Sequence, residues 1–120
     1  MKALLTGANG FLGKHLIKKL SSEGCEIFSL GRVKVENTNF FHLESVEDKK
    51  TIDRCISDIK PDYLFHLAGT VSNDEAESKK VNTNFAKKLL QAIDKFSLAK
   101  KTRVLMVGSA SEYGEINSRD

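Results

Sequence analysis

The stretch Lys2-Ala3-Leu4-Leu5-Thr6-Gly7-Ala8-Asn9-Gly10-Phe11-Leu12-Gly13 decides the fold: an apolar strand runs into three glycines, at positions 7, 10 and 13, and then into an amphipathic helix. Gly7 suits a tight turn off the strand. Gly10 lets backbone approach a ligand with no Cβ in the way, and Gly13 allows a helix to lie close on a strand. The helix opening near Phe11 directs its unpaired N–H groups and the positive end of its dipole at the turn, which implies a cradle for nucleotide phosphates.

Apolar runs alternate with helical patterns along the whole chain, the mark of repeated β-α units and a parallel sheet. Leu12, Leu16, Ile17 and Leu20 share one face of the first helix, and Gly24 ends it. Strands follow at Glu26–Leu30 and Phe40–Leu43. Ile52, Cys55, Ile56 and Ile59 mark a helix stopped by Pro61, and Asp62–Leu67 is the fourth strand. The polar, aperiodic segment 70–80 reads as a loop with room for a helical turn. Phe85, Leu89, Ile93 and Phe96 stripe a long helix over 81–96, and Arg103–Val107 makes a fifth strand. The segment after Gly114 carries no strand or helix signal and is expected to fray.

A chain of 120 residues suits one domain with one core. The formal charge of +3 comes from lysine doublets spread along the sequence rather than massed in a block, which argues for a solvated surface and against a nucleic-acid footprint. Cys25 and Cys55 form neither a disulfide framework nor a metal-ligand spacing. No apolar run approaches the roughly 18 residues of a membrane span, and the strand at Lys2 leaves no room for a signal peptide, so a cytoplasmic setting is expected.

Four blocks in order resemble the extended short-chain dehydrogenase/reductases, the NAD-dependent epimerase/dehydratase family. Thr6 to Gly13 resembles that family's Thr-Gly-x-x-Gly-Phe-x-Gly signature. Lys60-Pro61-Asp62-Tyr63-Leu64-Phe65-His66-Leu67-Ala68-Gly69 resembles its fourth strand and the loop that covers the cofactor. Val81-Asn82 matches the start of its long helix, and Val107 to Gly114 the end of its fifth strand. The resemblance implies a three-layer α/β Rossmann-type sheet in the order 3-2-1-4-5, broken off after the fifth strand. Residues 1–120 then make up the N-terminal dinucleotide-binding part of a longer enzyme.

The resemblance also assigns roles. Gly7, Asn9, Gly10, Phe11, Leu12 and Gly13 would hold the pyrophosphate, and Arg32 would face the adenosine ribose. Leu43 would meet the adenine, while Leu67, Ala68 and Gly69 line the route to the nicotinamide ribose. Ser109 matches the family's catalytic Ser/Thr, whose hydroxyl hydrogen-bonds the substrate oxygen while a tyrosinate moves the proton. The family's Tyr-x-x-x-Lys pair has no match: Tyr63 is followed four places on by Leu67, and Tyr113 by Asn117. Little or no turnover is therefore expected of these 120 residues alone. NAD-binding members often carry an acid after the second strand; here Leu30-Gly31-Arg32 stands there, which tilts the cofactor from NAD to NADP. Ser111 replaces an acid typical of the family's dehydratases, so a nucleotide-sugar-like substrate would be epimerised or reduced.

Plainer readings stand beside these. The glycines serve any tight strand-to-helix joint, Ser109 suits a strand-end turn, Asn82 suits a helix N-cap, and His66 suits a buried structural site. A non-catalytic dinucleotide sensor is the alternative function. An open fifth-strand edge further implies self-association.

Overall fold

In the structure, a computed structural model, residues 1–8, 10–67 and 75–107 are described. Among these residues, five strands form one parallel sheet: β1 (Lys2–Thr6), β2 (Glu26–Gly31), β3 (Asn39–His42), β4 (Tyr63–Leu67) and β5 (Arg103–Val107). Their order is β3-β2-β1-β4-β5, as the sequence implies. Three helices cover it: α1 (Phe11–Ser22), α2 (Lys49–Ile59) and α3 (Glu75–Lys95).

The sheet separates two cores. Leu4, Leu30 and Leu64 meet Ile52, Cys55 and Ile56 of α2 and Phe85, Leu89 and Ile93 of α3 on one face. Ala3, Leu5 and Ile27 meet Ile17 and Leu20 of α1 on the other. Both faces of the central strands are thus dry, so β1 reads as an almost unbroken apolar run rather than an alternation.

Helix ends follow local chemistry. Glu23 closes α1, and Gly24 follows at φ 80° with its N–H donating to the Ser21 carbonyl, while the Cys25 N–H donates to Leu20. Asp48 caps α2 by accepting from the Thr51 N–H at 3.1 Å and the Thr51 hydroxyl at 2.6 Å. Those hydrogen bonds hold its carboxyl below the usual carboxylate range. Lys60, left-handed at φ 48°, ends that helix ahead of Pro61.

Two expectations need correction. The third helix begins at Glu75, not Val81, so part of the segment read as a loop is helical and Asn82 lies inside the helix rather than at its cap. Glu75, Ala76, Glu77, Lys79 and Lys80 are strong helix formers with acids ahead of bases, but with Ala76 as the sole apolar residue they carry no period to read. Leu12 is the second correction. It is 50% exposed, because the contact position in the first turn of α1 belongs to Gly13.

At the strands' N-terminal ends, Asp62 ties three strands together. Its carboxylate accepts from the Lys2 N–H at 2.8 Å and the Lys101 ammonium at 2.6 Å. Its own N–H donates to the Lys2 carbonyl, and its carbonyl accepts from Arg103. The Lys101 and Lys2 hydrogen bonds hold the Asp62 carboxyl below its ordinary 3.8.

Candidate dinucleotide site

The turn from β1 into α1 leaves the strand through Gly7, whose φ of 69° lies in the left-handed region where a side chain is strained. A Cβ on Gly13 would overlap the Ala8 carbonyl oxygen and lie 2.5 Å from its carbon and 2.6 Å from its Cα, all of it backbone. Only glycine lets α1 sit this close to the strand exit. Gly10 is the opposite case: a Cβ there meets nothing within 4 Å. Gly13 is therefore needed for packing, whereas the room beside Gly10 is open.

Gly10 is also the N-cap of α1, extended at φ −95°, with no side chain capping the helix and no acid in its first turn. The N–H groups of Phe11, Leu12 and Gly13 have no acceptor within the helix. The end of the macrodipole is left without a negative partner from the described residues, and beside it a Cβ on Gly10 would meet nothing within 4 Å. This arrangement fits a phosphate: it offers backbone donors, positive potential and no Cβ in the way.

The site lies at the carboxyl ends of the strands, where the chain order reverses. From β1 the chain returns to β2 on one side, while β4 pairs with β1 on the other, with Thr6 opposite His66. Ligands of open α/β sheets bind at such a switch point. Thr6 Oγ1 and His66 Nδ1 lie 2.6 Å apart, and His66 is 5% exposed with its ring edge-on to Phe85. His66 therefore occupies the buried, hydrogen-bonded place that its plain reading implies, and it links the strand leading into Gly7 to the end of β4.

At the end of β2, Arg32 is exposed and has no ion-pair partner among the described residues. Leu43 follows β3; its N–H donates to the Gly31 carbonyl at 2.8 Å, while its side chain is 2% exposed and belongs to the core under α2 and α3. Phe11, 79% exposed, stands at the mouth of the cradle with its ring edge-on to His15. Leu67 is buried at the end of β4.

With this geometry in place, the sequence profile of the NAD dependent epimerase/dehydratase family matches residues 3–120. The chain belongs to that family. It is 33% identical over 119 residues to GDP-6-deoxy-D-talose 4-dehydrogenase of Aggregatibacter actinomycetemcomitans, covering 95% of this chain and 37% of that protein. It is 27% identical to GDP-mannose 4,6-dehydratase of Vibrio cholerae, covering 94% of this chain and 36% of the relative. Among solved structures, UDP-glucose 4-epimerase of Thermotoga maritima with UDP-glucose superposes with a TM-score of 0.71 at 29% identity, covering 99% of this chain and 41% of that one. The NAD complex of UDP-glucose 4-epimerase from Thermus thermophilus shares the fold at a TM-score of 0.69 and 24% identity, covering 82% of this chain and 35% of that one. The chain thus spans well under half the length of these relatives.

The structure brings Gly7, Gly10, Phe11, Leu12 and Gly13 together at one turn and sets Arg32, Leu43 and Leu67 at neighbouring strand ends. Asn9, Ala68, Gly69 and Ser109 lie outside the described residues, as does Tyr113. Sequence reasoning gave Thr6 no part of its own. The signal was available: Thr6 and His66 are polar residues closing two apolar strands that must be neighbours. Both cysteines are free thiols, and burial, with Asp58 nearby, pushes the Cys55 thiol up to about 12. Among the described residues, no group of three or more His, Cys, Asp or Glu is placed to hold a metal, and no helix is long and apolar enough to cross a membrane. A cavity of about 620 Å³ opens at the opposite end of the strands, among Lys2, Glu26, Asp58, Lys60, Asp62 and Lys101. Its mixed charges and distance from the glycine turn separate it from the site.

Proposed function

We propose that residues 1–120 are the dinucleotide-binding part of a longer nucleotide-sugar epimerase or reductase. The observation that carries this reading is the uncapped start of α1, where a Cβ on the N-cap Gly10 would meet nothing within 4 Å and the Phe11, Leu12 and Gly13 N–H groups have no acceptor within the helix. Those groups would donate to the pyrophosphate, with Gly7 at the turn and Asn9 as a further cofactor-binding residue. Arg32 faces the adenosine ribose. Leu43 offers backbone and the rim of the core to the adenine, and Leu67, Ala68 and Gly69 are the candidate contacts of the nicotinamide ribose. The absence of a carboxylate directly after β2 and the exposed guanidinium of Arg32 favour NADP over NAD, since a 2′-phosphate meets a cation there instead of a repelling acid.

A nicotinamide cofactor held there would supply hydride transfer. Ser109 hydrogen-bonds the substrate oxygen, and a proton relay requires a tyrosine and lysine that these 120 residues do not pair at the family's spacing. The chain alone therefore binds cofactor without turnover. Relatives named for GDP-linked sugars and a structural neighbour solved with UDP-glucose support a nucleotide-sugar substrate for the longer enzyme. The free thiols agree with a reducing, cytoplasmic setting, and β5, an edge of the sheet among the described residues, supports self-association.

Calorimetric titration of the chain with NADPH and NADH tests the reading. Saturable binding of one dinucleotide per chain, tighter for NADPH, is the expected result; no binding of either at millimolar concentration would overturn it. A non-catalytic sensor is the second reading; it requires the same binding and differs in predicting no turnover by the full gene product.

A further inference from the structure

Between Gly31 and Asn39 the chain makes an exposed excursion, Arg32-Val33-Lys34-Val35-Glu36-Asn37-Thr38, yet its far end is pinned from inside the sheet. Ser29, in β2, is 1% exposed and faces the α1 side beside Leu5, its register partner in β1. Its hydroxyl lies 2.6 Å from the Thr38 hydroxyl, and Thr38 in turn donates to the Val35 carbonyl at 2.8 Å. Thr38 has one proton and directs it to Val35, so the Ser29 hydroxyl is the donor between the two. Val35 itself packs against the core under α1, and Asn37 takes the left-handed turn at φ 65° that brings Thr38 back.

Ser29 occupies a position where an apolar side chain would pack as well. A buried hydroxyl is unfavourable there unless it is hydrogen-bonded, and the bond it makes is to the excursion. The consequence falls on Arg32. Three residues, Arg32, Val33 and Lys34, span from the fixed end of β2 to the fixed Val35, so the guanidinium is carried by a short, tethered arch rather than by a seven-residue free loop.

We infer that Ser29 and Thr38 are positioning residues for cofactor selection, holding the arch so that Arg32 stands ready for the 2′-phosphate of a bound dinucleotide. The inference rests on the dinucleotide reading above. Neither hydroxyl touches the cofactor; both act through the geometry of the arch. Preordering the arch removes part of the conformational cost of forming a two-pronged guanidinium–phosphate contact, which NADH does not make. The pair therefore strengthens NADPH binding selectively.

The test is calorimetric affinity for NADPH and NADH across Ser29→Ala, Thr38→Val, Thr38→Ser and Arg32→Ala, with melting temperatures alongside. Ser29→Ala and Thr38→Val are expected to lower the NADPH-to-NADH affinity ratio by about threefold to tenfold, with NADH affinity held within about twofold. Thr38→Ser keeps the hydroxyl and keeps the ratio. Added to Arg32→Ala, which lowers the ratio by itself, Thr38→Val has no further effect, because the arch then carries nothing to position. An unchanged ratio in Ser29→Ala and Thr38→Val, beside a lowered ratio in Arg32→Ala, would overturn the inference and leave the cofactor reading standing. Equal losses for both cofactors with a lowered melting temperature would overturn it too, by assigning the pair to stability alone. An unchanged ratio in Arg32→Ala would refute the selectivity reading beneath it and the inference with it.

Discussion

Replacing Gly13 by alanine separates packing from binding at the glycine turn. The added Cβ would sit 2.5 Å from the Ala8 carbonyl carbon and 2.6 Å from its Cα, against backbone that has no rotamer to give. Relief requires α1 to move away from the strand exit by roughly 1 Å, which loosens the contacts of Ile17 and Leu20 farther along the same face. Overpacking of this kind costs about 3 kcal/mol at the upper end of its usual range, and the better helix propensity of alanine returns about 1 kcal/mol, leaving a net loss of about 2 kcal/mol. With a urea slope of roughly 1.5 kcal/mol/M, the unfolding midpoint followed by circular dichroism falls by roughly 1.3 M with no change of slope. Gly10→Ala is the control. Its Cβ enters open space, so the stability loss is confined to poorer capping, about 0.5–1 kcal/mol, while dinucleotide affinity falls roughly tenfold because the methyl occupies ligand space. A Gly13→Ala midpoint within about 0.3 M of the parent would refute this packing argument.

Other consequences are open to measurement. Because hydrogen bonds from Lys101 and Lys2 hold the Asp62 carboxyl below 3.8, its contribution is complete above the unfolded value and disappears as pH falls through the folded one. The melting-temperature gap between the parent and Asp62→Asn should therefore be widest near neutrality and close in acid; a gap independent of pH would contradict the strand-tying role. Buried Cys55, pushed up to about 12, should resist a thiol reagent at about pH 8 while half-buried Cys25 reacts, so one thiol titrates in the folded chain and two in urea. Two fast thiols in the folded chain would refute this. Gel filtration at rising concentration should show association through a sheet edge, and a strict monomer would count against it.

Much of this molecule is legible because its sequence states the same thing at several levels. Lys2–Thr6 is largely apolar since β1 is buried on both faces, and the glycine at 13 is explained by a clash that any side chain would cause. What escapes is what periodicity does not encode. Glu75 to Lys80 lie in helix, yet their sequence has no apolar stripe to announce it. Spacing sets Leu12 on the inward face, but a first turn beyond the strand end has no core to meet. The Ser29–Thr38 contact joins a strand residue to the connection that follows it, and no periodicity announces it. Arg32 is visible as a departure from the family's usual acid, whereas the tether beneath its arch is not.

We propose that the start of α1 receives a dinucleotide pyrophosphate. Amide spectra of the chain titrated with NADPH test it most directly: the Gly10, Phe11, Leu12 and Gly13 signals should move together and saturate at one equivalent, and Gly10→Ala should weaken that response. Shifts confined to other parts of the chain, such as the cavity beside Asp58 and Lys60, would contradict it.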